Sequence, residues 1–481
     1  MSINSKESIT ANMLWRLFER FGAQGVTFIV SIILARLLEP EIYGTVALVT
    51  VFTSILQVFI DSGLGNSLIQ KKDADDLDFS TVFYFNIAFC IVLYILLWIV
   101  APFIAQLYKN SSLKDIIRVL GLTIIISGIK NIQQSYVAKY MLFKKFFYST
   151  LGGTIGAAII GILMAYNGFG VWALVGQNLF NTFVDTCILW ISVEWRPKKS
   201  FSFTRLKALV SYGWKLLAAK LLDTVYEDIR TLIIGKMYST DDLAYYDRGR
   251  QFPMLAVSNV NIAIDSVLFP SMAMEQTDLS RVRAMTSRAV KTASYVVFPM
   301  MTGMAVCAEP LIRIILTDKW IECVPYLRIF CFGLALNPIL IANLNAIKAI
   351  GRSDLYLRLE MIRKAIGLIT LVAFMWFGVK AIAYSYLLNC ILNIFVNSWP
   401  NRKILGYGYL QQLKDIIPSL VISGIMGGII FFIPQIGLND WVTLLLQIVG
   451  GGAIYIGLSA VFKVESLFYI LSIVKNSKIR K

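Results

Sequence analysis

Fourteen apolar segments, each about as long as a bilayer-spanning helix, follow one another along this chain with short polar links between them. A helix needs roughly 20 mostly apolar residues to cross the hydrocarbon core of a membrane. In hydrocarbon, only helices and closed barrels satisfy all backbone hydrogen bonds. Fourteen such helices use about 280 residues of the 481. The pattern therefore predicts an all-α integral membrane protein with about 14 transmembrane helices.

Two longer polar links divide the series of segments, and they suggest three parts. The apolar segments cover residues 13–37, 43–69, 79–106, 113–138, 146–166, 170–193, 209–237, 243–273, 286–316, 323–347, 355–377, 379–399, 416–433 and 441–462. The longer links are 194–207 and 400–414. We therefore expect a six-helix N-lobe (1–196), a six-helix C-lobe (197–403), and a last part (404–481) with helices 13 and 14 and a basic cytoplasmic tail.

Composition supports this class and limits the chemistry. Charged residues make up 15% of the chain, whereas a soluble domain carries about 25%. The chain has no histidine, which is the commonest general base and metal ligand, and it shows no zinc, haem or nucleotide-binding motif. Its links are too short for a soluble catalytic domain. We predict that the protein is not an enzyme and uses no cofactor and no metal.

The net charge of +16 is concentrated in alternate links, which predicts the orientation. If the N-terminus is cytoplasmic, the basic residues of the cytoplasmic links outnumber those of the opposite links roughly three-fold. One such link carries Lys139, Lys144 and Lys145, and another carries Arg196, Lys198, Lys199, Arg205 and Lys207. Both termini are therefore predicted to be cytoplasmic. These bases would contact membrane lipids, and no nucleic-acid partner is expected because a basic soluble surface is lacking.

Two segments 200 positions apart share a pattern that indicates an internal repeat. Ile33–Glu41 and Ile233–Asp241 each close an apolar run with a small residue and a base, followed by a polar turn that holds an acid. Six helices per half give this spacing, and both halves then start on the same side of the membrane. Such parallel repeats are related by an axis along the membrane normal. The repeat pairs Arg20 with Lys220.

Charged residues inside the predicted helices are concentrated at the start of each half. A charge at mid-bilayer costs from about 3 kcal/mol upward and usually faces a partner or a water-filled cavity. Those of the first helix share one face, and most of those on the seventh lie in a stripe of about 80°. The residues are Arg16, Glu19, Arg20, Asp61, Lys220, Asp223, Glu227, Asp228, Arg230, Arg248 and Arg250.

These residues have two interpretations. In the structural one, Arg16 pairs with Glu19, and Lys220 with Asp223 or Glu227, so that the charges only lock helices together. In the functional one, a water-filled, base-rich cavity between the halves holds an anionic group such as a pyrophosphate. The predicted substrate-binding residues are then Arg16, Arg20, Lys220, Arg248 and Arg250. The carboxylates predicted to bind a coupling ion or to line the cavity are Glu19, Asp61, Asp223, Glu227 and Asp228.

Several short motifs, in order, resemble those of bacterial polysaccharide flippases of the Wzx type, in the multidrug/oligosaccharidyl-lipid/polysaccharide superfamily. The resemblance covers roughly residues 10–400, and the last two helices match only in hydropathy. The motifs are Leu34–Gly44, Asp61–Gly65, Leu68–Lys72, Ala101–Ala105, Gly168–Val175, Leu232–Lys236 and Phe269–Pro270.

The resemblance implies two six-helix lobes in parallel pseudo-repeat around a V-shaped cavity, plus two C-terminal helices. It implies translocation of undecaprenyl-pyrophosphate-linked oligosaccharide units across the bacterial cytoplasmic (inner) membrane by alternating access, for O-antigen, capsule or exopolysaccharide synthesis. In related flippases, bases on helices one, two, seven and eight serve the pyrophosphate. Here no base lies inside the second helix. The expected partners are the lipid-linked oligosaccharide, membrane lipids and other polysaccharide-assembly proteins of the membrane, and we expect a monomer.

Two alternatives stay open. A multidrug or cation antiporter of the same superfamily would need an acidic pocket rather than a base-rich one. A membrane polysaccharide polymerase or ligase usually needs a large outward loop with catalytic bases. The predicted outward links are short, as at Asn167–Phe169 and Phe377–Val379.

Overall fold

The computed structural model describes the backbone of residues 3–61 and 63–479, and the regular structure within these ranges is entirely helical. Each of the fourteen predicted apolar segments coincides with one helix or one broken helix of the described residues, with overhangs of at most three residues. The all-α prediction is therefore confirmed. Several helices extend beyond the predicted segments into polar and charged residues. Hydropathy marks only the apolar part of a helix and not its polar continuation.

The chain forms two compact units, Met1–Leu243 and Ala244–Lys481. In the first unit the helices are α1 (Ile3–Leu37), α2 (Pro40–Asp61), α3 (Leu64–Gln70), α4 (Asp76–Leu107), α5 (Ser112–Lys139), α6 (Phe143–Tyr166), α7 (Val171–Ser192) and α8 (Phe203–Met237). Helix α9 (Thr240–Met274) begins at the end of this unit. The predicted lobe boundaries at residues 196 and 403 remain a prediction.

The second unit continues with helices that are often broken. They are α10 (Leu279–Val306), α11 (Ala308–Leu316), a 3-10 turn (Asp318–Cys323), α12 (Val324–Ala335), α13 (Asn337–Ala349), α14 (Ser353–Phe374), α15 (Val379–Leu405), α16 (Tyr409–Phe431), a second 3-10 turn (Ile433–Ile436), α17 (Asp440–Val461) and α18 (Glu465–Ile479). Helix α18 was not predicted, because its 15 residues are too few and too polar to indicate a span. The predicted basic tail beyond residue 472 lies outside the described side chains.

Nine helical stretches of the described residues are long and apolar enough to cross a membrane, or ten if the bent pair α10–α11 is one span. The two helices meet at a bend of 70°. Helices α5, α7, α8 and α14 fall outside this set, because charged residues, and in α7 also amides, interrupt their apolar runs. Such charges are expected where a helix borders water or protein instead of lipid.

Glycines allow α8 to pack closely on α2 in the first unit. A Cβ atom on Gly235 would clash with Leu48 Cδ2, and one on Gly44 would clash with the backbone oxygen of Thr240. Small residues let helix backbones approach where lipid provides no hydrophobic drive for association. Helix α8 is also tied to the end of α4, since Tyr108 donates to the Leu232 carbonyl at 3.3 Å.

A buried carboxylate joins the start of α4 to the first turn of α8. Asp78 is fully buried and lies 2.6 Å from Lys71 Nζ and 3.1 Å from Arg205 Nη1. Asp75 caps α4 by accepting from the Asp78 backbone N–H at 3.0 Å, and the Asp78 side chain accepts in return from the Asp75 N–H at 3.2 Å. This reciprocal capping box satisfies two backbone donors. The first long polar link is thus anchored to the helical bundle.

The second predicted polar link is mostly helical. Helix α15 continues through Pro400 to Leu405 and ends at Gly406, whose φ of 62° is the left-handed conformation that glycine adopts readily. Two of the link's polar residues are buried in an amide network: Asn401 Nδ2 donates to Asn343 Oδ1 at 2.6 Å, and Gln412 Nε2 donates to the same oxygen at 3.0 Å. The polarity that suggested a loop belongs to the core of the second unit.

Candidate functional site

The first helices of the two predicted repeats have equal length and corresponding ends. Helix α1 covers Ile3–Leu37 and α8 covers Phe203–Met237, 35 residues each and offset by 200 (203 − 3 and 237 − 37). At 1.5 Å per residue, each is about 52 Å long, which exceeds the roughly 30 Å hydrocarbon core. Only part of each helix can therefore lie in hydrocarbon. In α1 the stretch that is apolar enough to cross a membrane is Phe18–Leu37, and α8 has no such stretch among its described residues.

Arg20 and Lys220 occupy the midpoints of α1 and α8. Both side chains are exposed, and neither has an ion-pair partner among the described residues. An exposed cation on a helix of a membrane protein is costly in lipid and is favoured next to water or an anion. Of the predicted binding bases in the first unit, Arg20 and Lys220 are the two that have no ion-pair partner among the described residues, and their anion-binding role stays a prediction.

Arg16 is held differently. Its Nη1 lies 2.6 Å from Glu19 Oε2, and its guanidinium sits 5.0 Å from the ring of Phe146 on α6. Glu19 is 9% exposed and also accepts from Thr150 Oγ1 at 3.2 Å. The structural interpretation therefore holds for this pair, which links α1 to α6.

The carboxylates of α8 separate into two groups. Asp223 and Glu227 are exposed, on the stripe that contains Lys220. Asp228 is half-buried and accepts from Ser54 Oγ of α2 at 2.8 Å. Towards the end of the helix, Arg230 is 5% exposed. The stripe is thus exposed around Lys220 and buried near the end of α8.

Asp61, the last residue of α2, belongs to a polar cluster inside the first unit. Its Oδ1 accepts from Gln57 Nε2 at 3.0 Å and from Asn131 Nδ2 at 3.5 Å. Asn131 in turn accepts from Asn86 Nδ2 at 3.2 Å. Helices α2, α4 and α5 therefore meet through side-chain amides at this carboxylate.

Next to this cluster is an ion pair that was not predicted from the sequence. Lys130 Nζ of α5 lies 3.0 Å from Asp185 Oδ2 of α7, and the side chains are only 16% and 14% exposed. Each charge interrupts a largely apolar segment, 113–138 or 170–193, and that interruption is a signal that marks each residue as a candidate without indicating its partner.

In the second unit, Arg248 and Arg250 of α9 have unlike surroundings. Arg248 is 6% exposed, donates to Gln251 Oε1 at 2.6 Å, and places its guanidinium 5.3 Å from the Trp320 ring. Arg250 is half-buried. A guanidinium that stacks on an aromatic face retains its charge while it packs in the protein. Arg248 is therefore anchored within its own unit.

A model of the family described as "Polysaccharide biosynthesis protein" matches residues 33–325. The chain belongs to this family. The matched region runs from the end of α1 to the start of α12 and includes Asp61, Lys220 and both arginines of α9. This match confirms the predicted resemblance to the polysaccharide flippase family.

Three curated relatives are named for the synthesis or transport of surface polysaccharides. The teichuronic acid biosynthesis protein TuaB of Bacillus subtilis is 24% identical, with 79% of this chain and 79% of that protein covered. The succinoglycan biosynthesis transport protein ExoT of Rhizobium meliloti is 24% identical, with 69% and 67% covered. The lipopolysaccharide biosynthesis protein WzxC of Escherichia coli is 20% identical, with 88% of each covered.

Two solved structures share the fold. The lipid II flippase MurJ in an inward closed conformation matches with a TM-score of 0.76 and 16% identity, over 94% of this chain and 98% of that one. An inward-facing multidrug resistance MATE family transporter matches with a TM-score of 0.61 and 14% identity, over 79% and 94%. This family member is thus a multi-pass membrane protein with a transporter fold of the MurJ and MATE type.

Proposed function

We propose that this chain is a flippase that moves lipid-linked oligosaccharide units across a bacterial cytoplasmic membrane for surface polysaccharide synthesis. Its family, the functions for which its relatives are named, and the fold it shares with a lipid II flippase all support this assignment. The units are joined to their lipid by a pyrophosphate, so the protein must carry a strong anion through a membrane. The mechanism is alternating access, with no covalent bond made or broken, and the protein is not an enzyme.

The observation that carries the chemical part of the proposal is the environment of Arg20 and Lys220. Both are exposed at the midpoint of a long helix, and neither is neutralised by a carboxylate of the described residues. The arginine would bind the pyrophosphate through its bidentate fork and the lysine as a point charge. The repeat places them at equivalent positions, so the two halves of the fold would each contribute one cation.

The other predicted bases have lesser parts in this proposal. Arg16 is already paired with Glu19, so we assign it to the positioning of α1 on α6. Arg248 is anchored by Gln251 and Trp320, and it would add positive potential without leaving its place. Arg250 is half-buried, and we assign it the same supporting role.

Ion coupling is assigned to the carboxylates. Asp61 is our first candidate, because its carboxylate lies in a polar cluster between α2 and α5, where it would itself bind a proton or a sodium ion in place of the N–H donors of Gln57 and Asn131. Asp223 and Glu227 are the exposed alternatives on the same helix as Lys220. The remaining two carboxylates, Glu19 and Asp228, already accept hydrogen bonds from neighbouring side chains, and we assign them to helix packing.

We further propose that the protein works as a monomer with both termini in the cytoplasm. The excess of bases in alternate links supports this orientation. Other polysaccharide-assembly proteins of the membrane would supply its substrate and receive its product.

The test is a deletion strain that carries the polysaccharide locus, complemented with wild type, Arg20→Ala, Lys220→Ala or the control Lys215→Ala. Lys215 is exposed on the same helix as Lys220 but faces a different direction. We expect lipid-linked units to accumulate on the inner leaflet with the first two variants and to be cleared with wild type and Lys215→Ala. Immunoblots confirm that every variant is made. Equal clearance by all four proteins would contradict the role of the two cations.

A second candidate function is drug export, which the shared fold with a MATE family transporter supports. In an exporter of cationic drugs, however, the unpaired cations of Arg20 and Lys220 would repel the substrates. If the deletion strain showed no lipid-linked intermediate but was hypersensitive to cationic dyes, this second function would replace the first.

A further inference from the structure

A basic cavity opens at one end of the second unit, where α10, α16 and the turn between α17 and α18 meet. Its volume is about 450 Å³, and its rim carries Lys291, Lys414 and Lys463. The lining also includes apolar side chains, among them the buried Ile422 and the exposed Phe462. No residue of this cavity belongs to the proposed translocation site.

The charges of the rim do not cancel. Lys291 Nζ lies 2.8 Å from Glu465 and 3.7 Å from Asp415. Asp415 is further occupied, since it accepts from Tyr407 Oη at 2.7 Å and from Ser287 Oγ. The two carboxylates therefore fix Lys291.

Lys414 and Lys463 have no such partner. Both are exposed, and no carboxylate of the described residues pairs with either side chain. Summed over the three lysines and two carboxylates, the lining has a net charge of +1 (3 − 2): Lys291 and its two carboxylates carry −1, and the two exposed ammonium groups carry +2.

The backbone of Lys463 fixes the position of this lysine at the end of α17. Lys463 follows the last turn of α17 with a φ of 50°, and Val464 N–H donates to the Ser459 carbonyl at 2.9 Å. This is a Schellman motif with lysine at the position where glycine is usual. The same motif with a non-glycine residue recurs at Lys109 and Met141, and glycine would be less strained at each of these positions.

An apolar track leads away from the rim. Ile417, Val421 and Ile425 follow Lys414 along one face of α16 at steps of three to four residues, and all three are exposed. From Ile417 to Ile425 the track is about 12 Å long. Cations at one end and exposed aliphatic side chains along a spanning helix match a lipid with an anionic head and a hydrocarbon chain.

We propose that this cavity binds an anionic phospholipid of the bilayer, with its phosphodiester between Lys414 and Lys463 and an acyl chain on Ile417, Val421 and Ile425. Each lysine near a membrane surface contributes about 1 kcal/mol of attraction to anionic lipid, which corresponds to about five-fold in affinity. The bound lipid would fix the junction of α16, α17 and α18. The site is independent of the flippase proposal.

The test is native mass spectrometry of the purified full-length protein with phosphatidylglycerol or phosphatidylcholine, together with thermal unfolding. We expect wild type to retain phosphatidylglycerol in preference to phosphatidylcholine. Lys414→Ala and Lys463→Gly should each weaken that retention about five-fold. The control Lys380→Ala, an exposed lysine at the start of α15, should leave it unchanged.

Lys463→Gly separates lipid binding from fold stability. Glycine adopts the left-handed conformation without strain, so the lipid-free variant should unfold at the same temperature as wild type or higher. Equal retention of both lipids by wild type, or full retention by both lysine variants, would overturn the proposal. Displacement of phosphatidylglycerol by inorganic phosphate alone would also overturn it, since the site would then bind free phosphate.

Discussion

Arg20 and Lys220 lie at the midpoints of two 35-residue helices whose ends correspond at an offset of 200 residues. Both are exposed and have no ion-pair partner in the described parts of the chain. Neighbouring charges on the same helices are arranged differently: for example, Arg16 pairs with Glu19. The repeat therefore places two available cations at equivalent positions, whereas Arg16 and Glu19 next to Arg20 are used for packing.

From this relationship we predict that translocation requires a positive charge at both positions. At Arg20 it also requires the forked shape of the guanidinium group. A hydrogen bond to an ionised group contributes about 1.5–3 kcal/mol, so Arg20→Ala or Lys220→Ala should slow translocation about ten-fold or more. Lys220→Arg should retain most activity, whereas Arg20→Lys should retain less because the bidentate fork is lost. Flipping of a fluorescent lipid-linked oligosaccharide in proteoliposomes measures this. Full activity of both alanine variants would contradict the prediction.

The crossing of α8 over α2 should tolerate no side chain at Gly235. In Gly235→Ala the new methyl group clashes with Leu48 Cδ2, and overpacking of this kind costs about 1–3 kcal/mol. Thermal unfolding of the purified protein should show the loss, and a Leu48→Ala partner mutation should recover part of it. Gly44→Ala is the matched control: it meets the backbone of Thr240, so Thr240→Ala should give no recovery.

Removal of one partner of the Lys130–Asp185 pair should destabilise the protein more than replacement of both partners by apolar residues. Removal of one partner leaves a buried charge and costs about 3–5 kcal/mol, whereas an apolar replacement of both is often neutral. We expect Lys130→Met to destabilise the protein strongly and Lys130→Met/Asp185→Leu to restore much of the loss. A double-mutant cycle on unfolding temperature measures this coupling. Additive effects would show that the two charges act independently.

The cap of α4 should make the first unit sensitive to acid. The backbone N–H of Asp78 lowers the pKa of the Asp75 carboxyl to about 2, with help from Arg205. A lowered pKa stabilises the folded state above the unfolded value of 3.8, and that stabilisation is lost as the pH falls from about 4 through about 2. Asp75→Asn should keep a cap but lose this pH dependence. Unfolding temperatures at several pH values would test it, and parallel curves for the two proteins would count against it.

Periodicity and hydropathy determined which segments of this protein are helices. The fourteen apolar segments can be recognised one at a time, because the cost of an unpaired backbone in lipid applies to each segment alone. The 200-residue offset between Leu37 and Met237, the last residues of α1 and α8, could likewise be predicted, since a repeat is a property of sequence. The equivalent positions of Arg20 and Lys220 followed from that same repeat.

Only the tertiary structure decided which polar groups face one another. Lys130 and Asp185 are 55 residues apart in sequence, and nothing local indicates that α5 and α7 bring them within 3.0 Å. The buried amides of Asn401 and Gln412 looked like parts of a loop, because their partner Asn343 comes from another helix. Hydropathy is a property of one segment of the chain, whereas a hydrogen bond or an ion pair between helices depends on two segments. These pairings are therefore determined only when the helices pack.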